Sequence, residues 1–257
     1  MNHLIEHIIE YYNFHRKSKF KLYKYLIRDG NQHPVALICP GGGYHRIDSY
    51  AEGYPIAKKL NKMGYHAFVL YYRYAENGSF PIPMEDLARA LREICSHAAF
   101  WHLDMTGYSL WGASAGGHLA AYFASESGFA QYGLPKPGTV ILSYPVITMG
   151  CCTHPGSRDH LLGAGASETL IRKTSVENLV TSDYPPTFLW WGEDDRIVDP
   201  ENSLLMLRAL ENNRVPHEAV SYPGVDHGVG IGEGLSCEGW LKKAVSFWEK
   251  HRKNPEC

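Results

Sequence analysis

Short apolar runs alternate with amphipathic stretches along most of this chain, and that alternation limits the fold more than any other feature. Residues 34–39, 66–72, 106–111, 139–144, 187–191 and 218–222 are each about a strand long, and most are apolar almost throughout. Runs of this kind, rich in β-branched and aromatic residues, suit strands covered on both faces. Between them, Ile56, Ala57, Leu60 and Met63 recur at helical spacing, as do Met84, Leu87, Ala88, Leu91 and Ile94. Leu119, Ala120, Phe123 and Ala124 do the same, as does the run Leu204 to Leu210; Trp240, Leu241, Ala244, Val245 and Trp248 mark a closing helix. Strands and helices in this rhythm imply an α/β class with a mainly parallel central sheet and helices on both faces.

The length of 257 residues suits a single α/β domain over 1–257 with a sizeable core. One stretch breaks the rhythm. Residues 147–186 carry Cys151, Cys152, Pro155, Gly163 and Gly165 with little periodicity, an irregular excursion that a compact domain keeps for function or for mobility. The start is ambiguous: Leu4, Ile5, Ile8, Ile9 and Tyr12 fit one face of a short helix. Phe20 to Ile27, interrupted by Lys19, Lys21 and Lys24, reads as an edge strand with a solvated lysine face.

A formal charge of −2 supplies no electrostatic reason to expect nucleic acid or an anionic membrane as partner. The six cysteines form no C-x-x-C pair and no zinc-ligand spacing, and Cys151 beside Cys152 is a poor element of a disulfide framework. No metal and no cofactor is expected. Free thiols, no signal-peptide pattern and no run long enough to span a bilayer together point to the cytoplasm.

Chemistry concentrates at strand ends. Gly112-x-Ser114-x-Gly116 follows one buried run and opens a helix, the strand–turn–helix context of a nucleophile elbow. Small residues are needed there because strand and helix crowd the tip. Near-misses at Ser167 and Ser236 lack the final glycine and show how easily a partial pattern arises. Gly41-Gly42-Gly43, directly after residues 34–39, frees backbone N–H groups to point into one cavity, as an oxyanion hole needs. Its donors would be Ala115 and Gly42 or Gly43. Past the last two strands lie the acids Glu193, Asp194 and Asp195 and then His227. Serine needs a histidine to take its proton, and that histidine needs a carboxylate to hold its tautomer. Each feature alone has an ordinary structural explanation in a loop or turn. An elbow, a glycine loop before it, and an acid and then a histidine after it are a much rarer coincidence.

From about Pro34 to Trp248 the chain resembles the α/β-hydrolase superfamily, and more narrowly the bacterial acetylxylan-esterase-like carboxylesterases related to hormone-sensitive lipase. The resemblance is carried by Cys39-Pro40-Gly41-Gly42-Gly43-Tyr44, Glu52-Gly53-Tyr54-Pro55, Tyr72-Arg73-Tyr74, Ser114-Ala115-Gly116-Gly117-His118, Ser143-Tyr144-Pro145 and Pro185-Pro186-Thr187. It implies an α/β-hydrolase fold and a triad of Ser114, Asp195 and His227. The family's Gly-x-x-Asp pattern selects Asp195 over Asp194, and its His-Gly pair selects His227. The chain departs from many relatives at Pro40, at Asp199 and at Trp191, without losing a catalytic group.

The leading expectation is therefore a serine carboxylic ester hydrolase for short acyl esters, acting on a small-molecule substrate such as an acetylated carbohydrate. A prolyl-oligopeptidase-type peptidase shares the triad order, but those proteins normally add a large N-terminal domain, and only about forty residues precede the glycine loop. A non-catalytic binding protein on the same scaffold would be expected to have lost a triad member. Metal-dependent deacetylation lacks its H-x-x-E-H or H-E-x-x-H spacing.

Overall fold

The computed structural model describes residues 8–13 and 18–252. In chain order its elements begin with strands β1 (Ile8–Asn13), β2 (Ser18–Tyr25) and β3 (His33–Cys39). Helices α1 (Ser49–Glu52) and α2 (Tyr54–Lys62), strand β4 (His66–Tyr71) and helix α3 (Ile82–Ser96) follow. The centre is built from β5 (Leu103–Ala113), α4 (Ser114–Ala124), α5 (Glu126–Phe129) and β6 (Thr139–Ser143). After α6 (Pro155–Leu162) and α7 (Glu168–Thr174) come β7 (Thr187–Gly192), α8 (Glu201–Asn212), β8 (His217–Tyr222) and α9 (Trp240–Arg252). The strands form one eight-stranded sheet in the order β1-β2-β4-β3-β5-β6-β7-β8. From β4 to β8 every neighbouring pair is parallel, and β2 runs antiparallel to both of its neighbours.

Helices cover both faces, as two consecutive residues of β5 make plain. Trp111 packs against Trp240 and Trp248 of α9, with ring centroids 6.2 and 6.4 Å away. Gly112 faces the first turn of α4 instead. Successive side chains of a strand point to opposite faces, so α9 and α4 lie on opposite sides of the sheet. The tryptophans Trp111, Trp190, Trp240 and Trp248 form the heart of the core. Each fully buried aromatic of this size stabilises the fold by roughly 2–3 kcal/mol.

The chain differs from its sequence reading at the amino end. Ile8, Ile9 and Tyr12 lie in a strand rather than a helix, paired antiparallel with β2 so that Ile8 faces Tyr23 and Tyr12 faces Lys19. Leu4 and Ile5 lie outside the described residues. So short a segment holds too few turns for helical spacing to decide, and hairpin pairing satisfies its backbone directly. With β1 on one side and β4 on the other, β2 is no edge strand. Lys24, just past the end of the β1 pairing, is buried against the Trp101 ring, its ammonium 4.4 Å from the centroid, and burial lowers its pKa.

The stretch 147–186 contains α6 and α7 and is tied down throughout. The Asn202 side-chain carbonyl accepts the N–H groups of Ile147 and Thr148, and the Ser175 hydroxyl accepts that of Met149. Helices of about two turns are too short to show periodicity in a sequence. Among the described residues no helix is long and apolar enough to cross a membrane.

Candidate active site

The elbow forms where β5 runs into α4. Ser114 has φ of 52°, a left-handed conformation that costs a non-glycine residue energy and persists only where the surroundings enforce it. They do so by close approach. A Cβ at Gly112 would stand 2.3 Å from the Gly116 carbonyl oxygen, and one at Gly116 only 2.1 Å from that of Cys39. Glycine at both positions lets strand, helix and the end of β3 converge on the serine.

Three side chains from three strand ends meet there. The Ser114 hydroxyl lies 2.8 Å from His227 Nε2, and His227 Nδ1 lies 2.7 Å from Asp195 Oδ2. The other Asp195 oxygen accepts the N–H groups of Ile197 and Val198, both at 2.9 Å, which fixes the carboxylate from behind. With a carboxylate at Nδ1, that nitrogen carries the proton and donates it, and Nε2 is left to accept from the serine hydroxyl. Asp194 points elsewhere: it is exposed, and its carboxylate accepts the Gly224 N–H at 2.7 Å.

Gly42 and Gly43 share with Ser114 the wall of a cavity of about 510 Å³. Both adopt positive φ, 120° and 64°, and a Cβ at Gly42 would collide with the Arg46 backbone at 2.3 Å. Ala115, fully buried, follows Ser114 in the first turn of α4, where backbone N–H groups have no partner within the helix. Opposite the serine the cavity is lined by His45, His154, His160 and Ile197. The His45 and His160 rings stack at 4.8 Å, and His160 Nδ1 donates to the Gly43 carbonyl at 3.0 Å. His154 and His160 come from the 147–186 stretch. Burial, with His227 and His160 nearby, holds His154 below the usual imidazole pKa.

Several residues of this region escaped the sequence reading as chemistry. Glu52 lines the cavity, is 3% exposed, and accepts the Gly41 N–H at 2.8 Å. Burial pushes its pKa up to about 7 against that hydrogen bond and the nearby His227. It stands in the segment Glu52-Gly53-Tyr54-Pro55, near the equally acidic Asp48, so no local pattern sets it apart. Arg196 and Asp226 form an ion pair between the loops that carry Asp195 and His227, and Asp226 also accepts the N–H groups of both Arg196 and His227. His118, beside the elbow, is fully buried between the Tyr44 hydroxyl at 2.8 Å and the Thr174 carbonyl at 2.7 Å. Among the described residues no group of three or more His, Cys, Asp or Glu is arranged to hold a metal ion.

Known proteins share this arrangement's sequence and fold. The prolyl oligopeptidase family model matches residues 82–255, and the BD-FAE model matches residues 23–133. The chain is 34% identical over 241 residues to endo-1,4-beta-xylanase B of Butyrivibrio fibrisolvens, covering 89% of this chain and 38% of that protein. It is 32% identical over 216 residues to an acetylxylan esterase of Xylanibacter ruminicola, covering 82% of this chain and 44% of that protein. The chain thus spans less than half the length of either relative. The crystal structure of an acetyl ester-xyloside bifunctional hydrolase from Caldicellulosiruptor lactoaceticus superposes with a TM-score of 0.85 at 31% identity, covering 93% of this chain and 90% of that one. By sequence and by fold, the chain belongs to the α/β-hydrolases and, within them, to the prolyl oligopeptidase family.

Proposed function

We propose that this protein is a serine carboxylic ester hydrolase for short acyl esters, with Ser114 as nucleophile, His227 as general base and acid, and Asp195 as the orienting carboxylate. The observation that carries the reading is the unbroken chain Asp195–His227–Ser114, at 2.7 and 2.8 Å, opening into the cavity. His227 takes the serine proton as the hydroxyl oxygen attacks the ester carbonyl, and Asp195 steadies the imidazolium that forms. The developing oxyanion is met by the N–H of Ala115 and an N–H of Gly42 or Gly43. His227 then protonates the departing alcohol, leaving an acyl group on Ser114. Water, deprotonated by the same imidazole, releases the acid.

The substrate reading draws on the cavity and on the relatives. Its wall is imidazole, carboxyl and guanidinium, with Ile197 as its aliphatic side chain. Such a wall suits a small acyl group and a hydroxyl-rich alcohol better than a fatty chain. The names of the two esterase-type relatives, an acetylxylan esterase and an acetyl ester-xyloside hydrolase, favour acetylated sugars as the class to test. The prolyl oligopeptidase match keeps a peptidase as the second reading.

A panel of p-nitrophenyl esters of increasing chain length, run beside acetylated xylo-oligosaccharides and a proline-containing peptide anilide, tests both. Release of acetate from the ester substrates with an inert anilide is the expected result. Anilide cleavage without ester turnover would replace the esterase reading with the peptidase one.

A further inference from the structure

A buried carboxyl that takes no part in the triad stands beside it. Glu52 ends α1, is 3% exposed, and faces the cavity below the glycine loop. One of its oxygens accepts the Gly41 N–H at 2.8 Å. The carbonyl at the other end of that same peptide, Pro40 O, accepts the buried Tyr72 hydroxyl at 2.7 Å. The peptide leading into Gly42 and Gly43 is therefore gripped at both ends, and its tilt sets where the N–H groups that follow it point.

The same carboxyl reaches the histidine side of the site. The Tyr144 hydroxyl bears on the Glu52 carboxyl and accepts the Gly230 N–H at 3.1 Å, three residues beyond His227. The Tyr144 ring packs edge-to-face on the His227 imidazole, with centroids 4.8 Å apart. Tyr144 itself is fully buried and holds φ of 36°, a conformation that its surroundings must enforce. Glu52 thus bears on both the glycine loop and the tyrosine beneath His227.

We propose, building on the esterase reading above, that Glu52 is a positioning residue of the active centre: its carboxylate locks the glycine loop and the Tyr144 platform under His227 into register. The Gly41 N–H and the Tyr144 hydroxyl are both met best by a carboxylate that only accepts, so the ionised form holds the register and the protonated form releases part of it. The charged and titratable groups that bear on Glu52 are His227 from the loop after β8, Asp48 from the loop before α1, Tyr144 after β6 and Tyr72 after β4. Burial sets its pKa near 7, so the register tightens as pH rises through neutrality. Ionisation of Glu52 therefore raises the rate as pH rises.

The test compares wild type, Glu52→Gln and Tyr144→Phe in two assays: turnover of p-nitrophenyl acetate, and the rate at which a fluorophosphonate labels Ser114. Both run from about pH 5 to about pH 9. Glu52→Gln keeps shape but offers one acceptor oxygen, so kcat and the labelling rate should fall by about 10- to 100-fold, with KM within about threefold. The acid limb of log kcat/KM should become shallower, because the glutamine no longer titrates there. Tyr144→Phe, which removes only the hydroxyl, should lower both rates less, and the double variant should lose clearly less than the sum of the two single losses. Unchanged kcat and unchanged acid-limb slope in a folded Glu52→Gln variant would overturn the proposal. So would additive losses in the double variant. A wild type that neither turns over ester nor labels at Ser114 would instead bring down the esterase reading itself.

Discussion

The first turns of α4 are bordered by two histidines whose surroundings differ in kind, and the difference explains what each can do. At the tip of the elbow, His227 stands between a carboxylate and a hydroxyl, with 11% of its side chain exposed toward the cavity. One turn further on, His118 is sealed between the Tyr44 hydroxyl and the Thr174 carbonyl. Both rings have both nitrogens bonded at comparable distances. Only at His227 does a carboxylate compensate the charge that proton transfer creates. His118 has neutral partners and is fully buried, so burial holds its pKa down to about 4 and keeps it a neutral pin between α4 and α7. Bond count does not separate a base from a strut; the charge of the partners does.

The sharpest way to break this contrast is to remove the group that His227 faces. Ser114→Ala should lower ester hydrolysis by about 10³-fold or more, leaving only binding and the oxyanion donors, while thermal melting stays near that of wild type. Next in size is the carboxylate. Asp195→Asn should cost about 10²- to 10⁴-fold in kcat, because an amide no longer stabilises the imidazolium, whereas Asp194→Asn should stay within about threefold. The neighbouring acid serves as the control, since its oxygen is occupied by the Gly224 N–H. If the Asp194 variant proved the inactive one, the contrast between partners would lose its basis.

Much of the molecule's active end was legible before any coordinates, for a physical reason. Strand ends carry their chemistry in contiguous letters, so Gly112-x-Ser114-x-Gly116 and the acid and histidine after later strands announce themselves. The α/β alternation was equally open, because a strand buried on both faces has little room for polar residues. Supports that join distant segments were not. Glu52 meets Gly41 and Tyr144, and Asn202 meets Ile147, across gaps that no local pattern spans. The amino-terminal hairpin stays undecided in the sequence because six residues of β1 fit either period, and only the pairing with a second strand decides between them. Lys24 was equally hidden: the Trp101 ring that covers it comes from a segment far along the chain.

Substrate length sharpens the picture of the cavity. Acetate and propionate esters should exceed octanoate by about 10- to 100-fold in kcat/KM, since a chain that overfills a polar pocket cannot bring its carbonyl to both the serine and the oxyanion donors. Equal turnover of long chains would mean that the acyl group leaves by a route the lining residues do not define.

The strut histidine gives a stability test rather than a rate test. The folded-state pKa of His118 is about 4, below the ~6.5 of a free imidazole. The unfolded chain therefore binds the extra proton first. Its contribution is complete above about pH 6.5 and is lost as pH falls toward about 4, at up to ~1.4 kcal/mol per pH unit. Glutamine can keep both hydrogen bonds without titrating. His118→Gln should show a flatter loss of stability over that window in urea melts, and an equally steep loss would remove the buried imidazole from the acid limb. His66, also held near 4 by burial, is common to both proteins and cancels in the comparison.

The smallest expected effect concerns the clamp outside the triad. Arg196 and Asp226 bridge the loops bearing Asp195 and His227, and Asp226 also accepts the N–H of His227 itself. The pair is exposed, so its attraction is screened by water and by salt. It cannot hold the fold, but it restrains the approach of two loops whose carboxylate and imidazole must stay within hydrogen-bond reach. Arg196→Ala leaves both triad loops and the Asp226 to His227 backbone bond intact, so kcat should fall by only about two- to fivefold, with thermal stability unchanged. Because the lost term is a screened ion pair, raising salt toward about 1 M should narrow the gap by slowing the wild type while barely touching the variant. A gap that persists at high salt would assign the effect to the arginine's packing on the loop rather than to its charge. A far larger loss would show that these exposed partners matter as much to His227 as its buried carboxylate does, and the distinction drawn between the two histidines would have to include the loop as well as the ring.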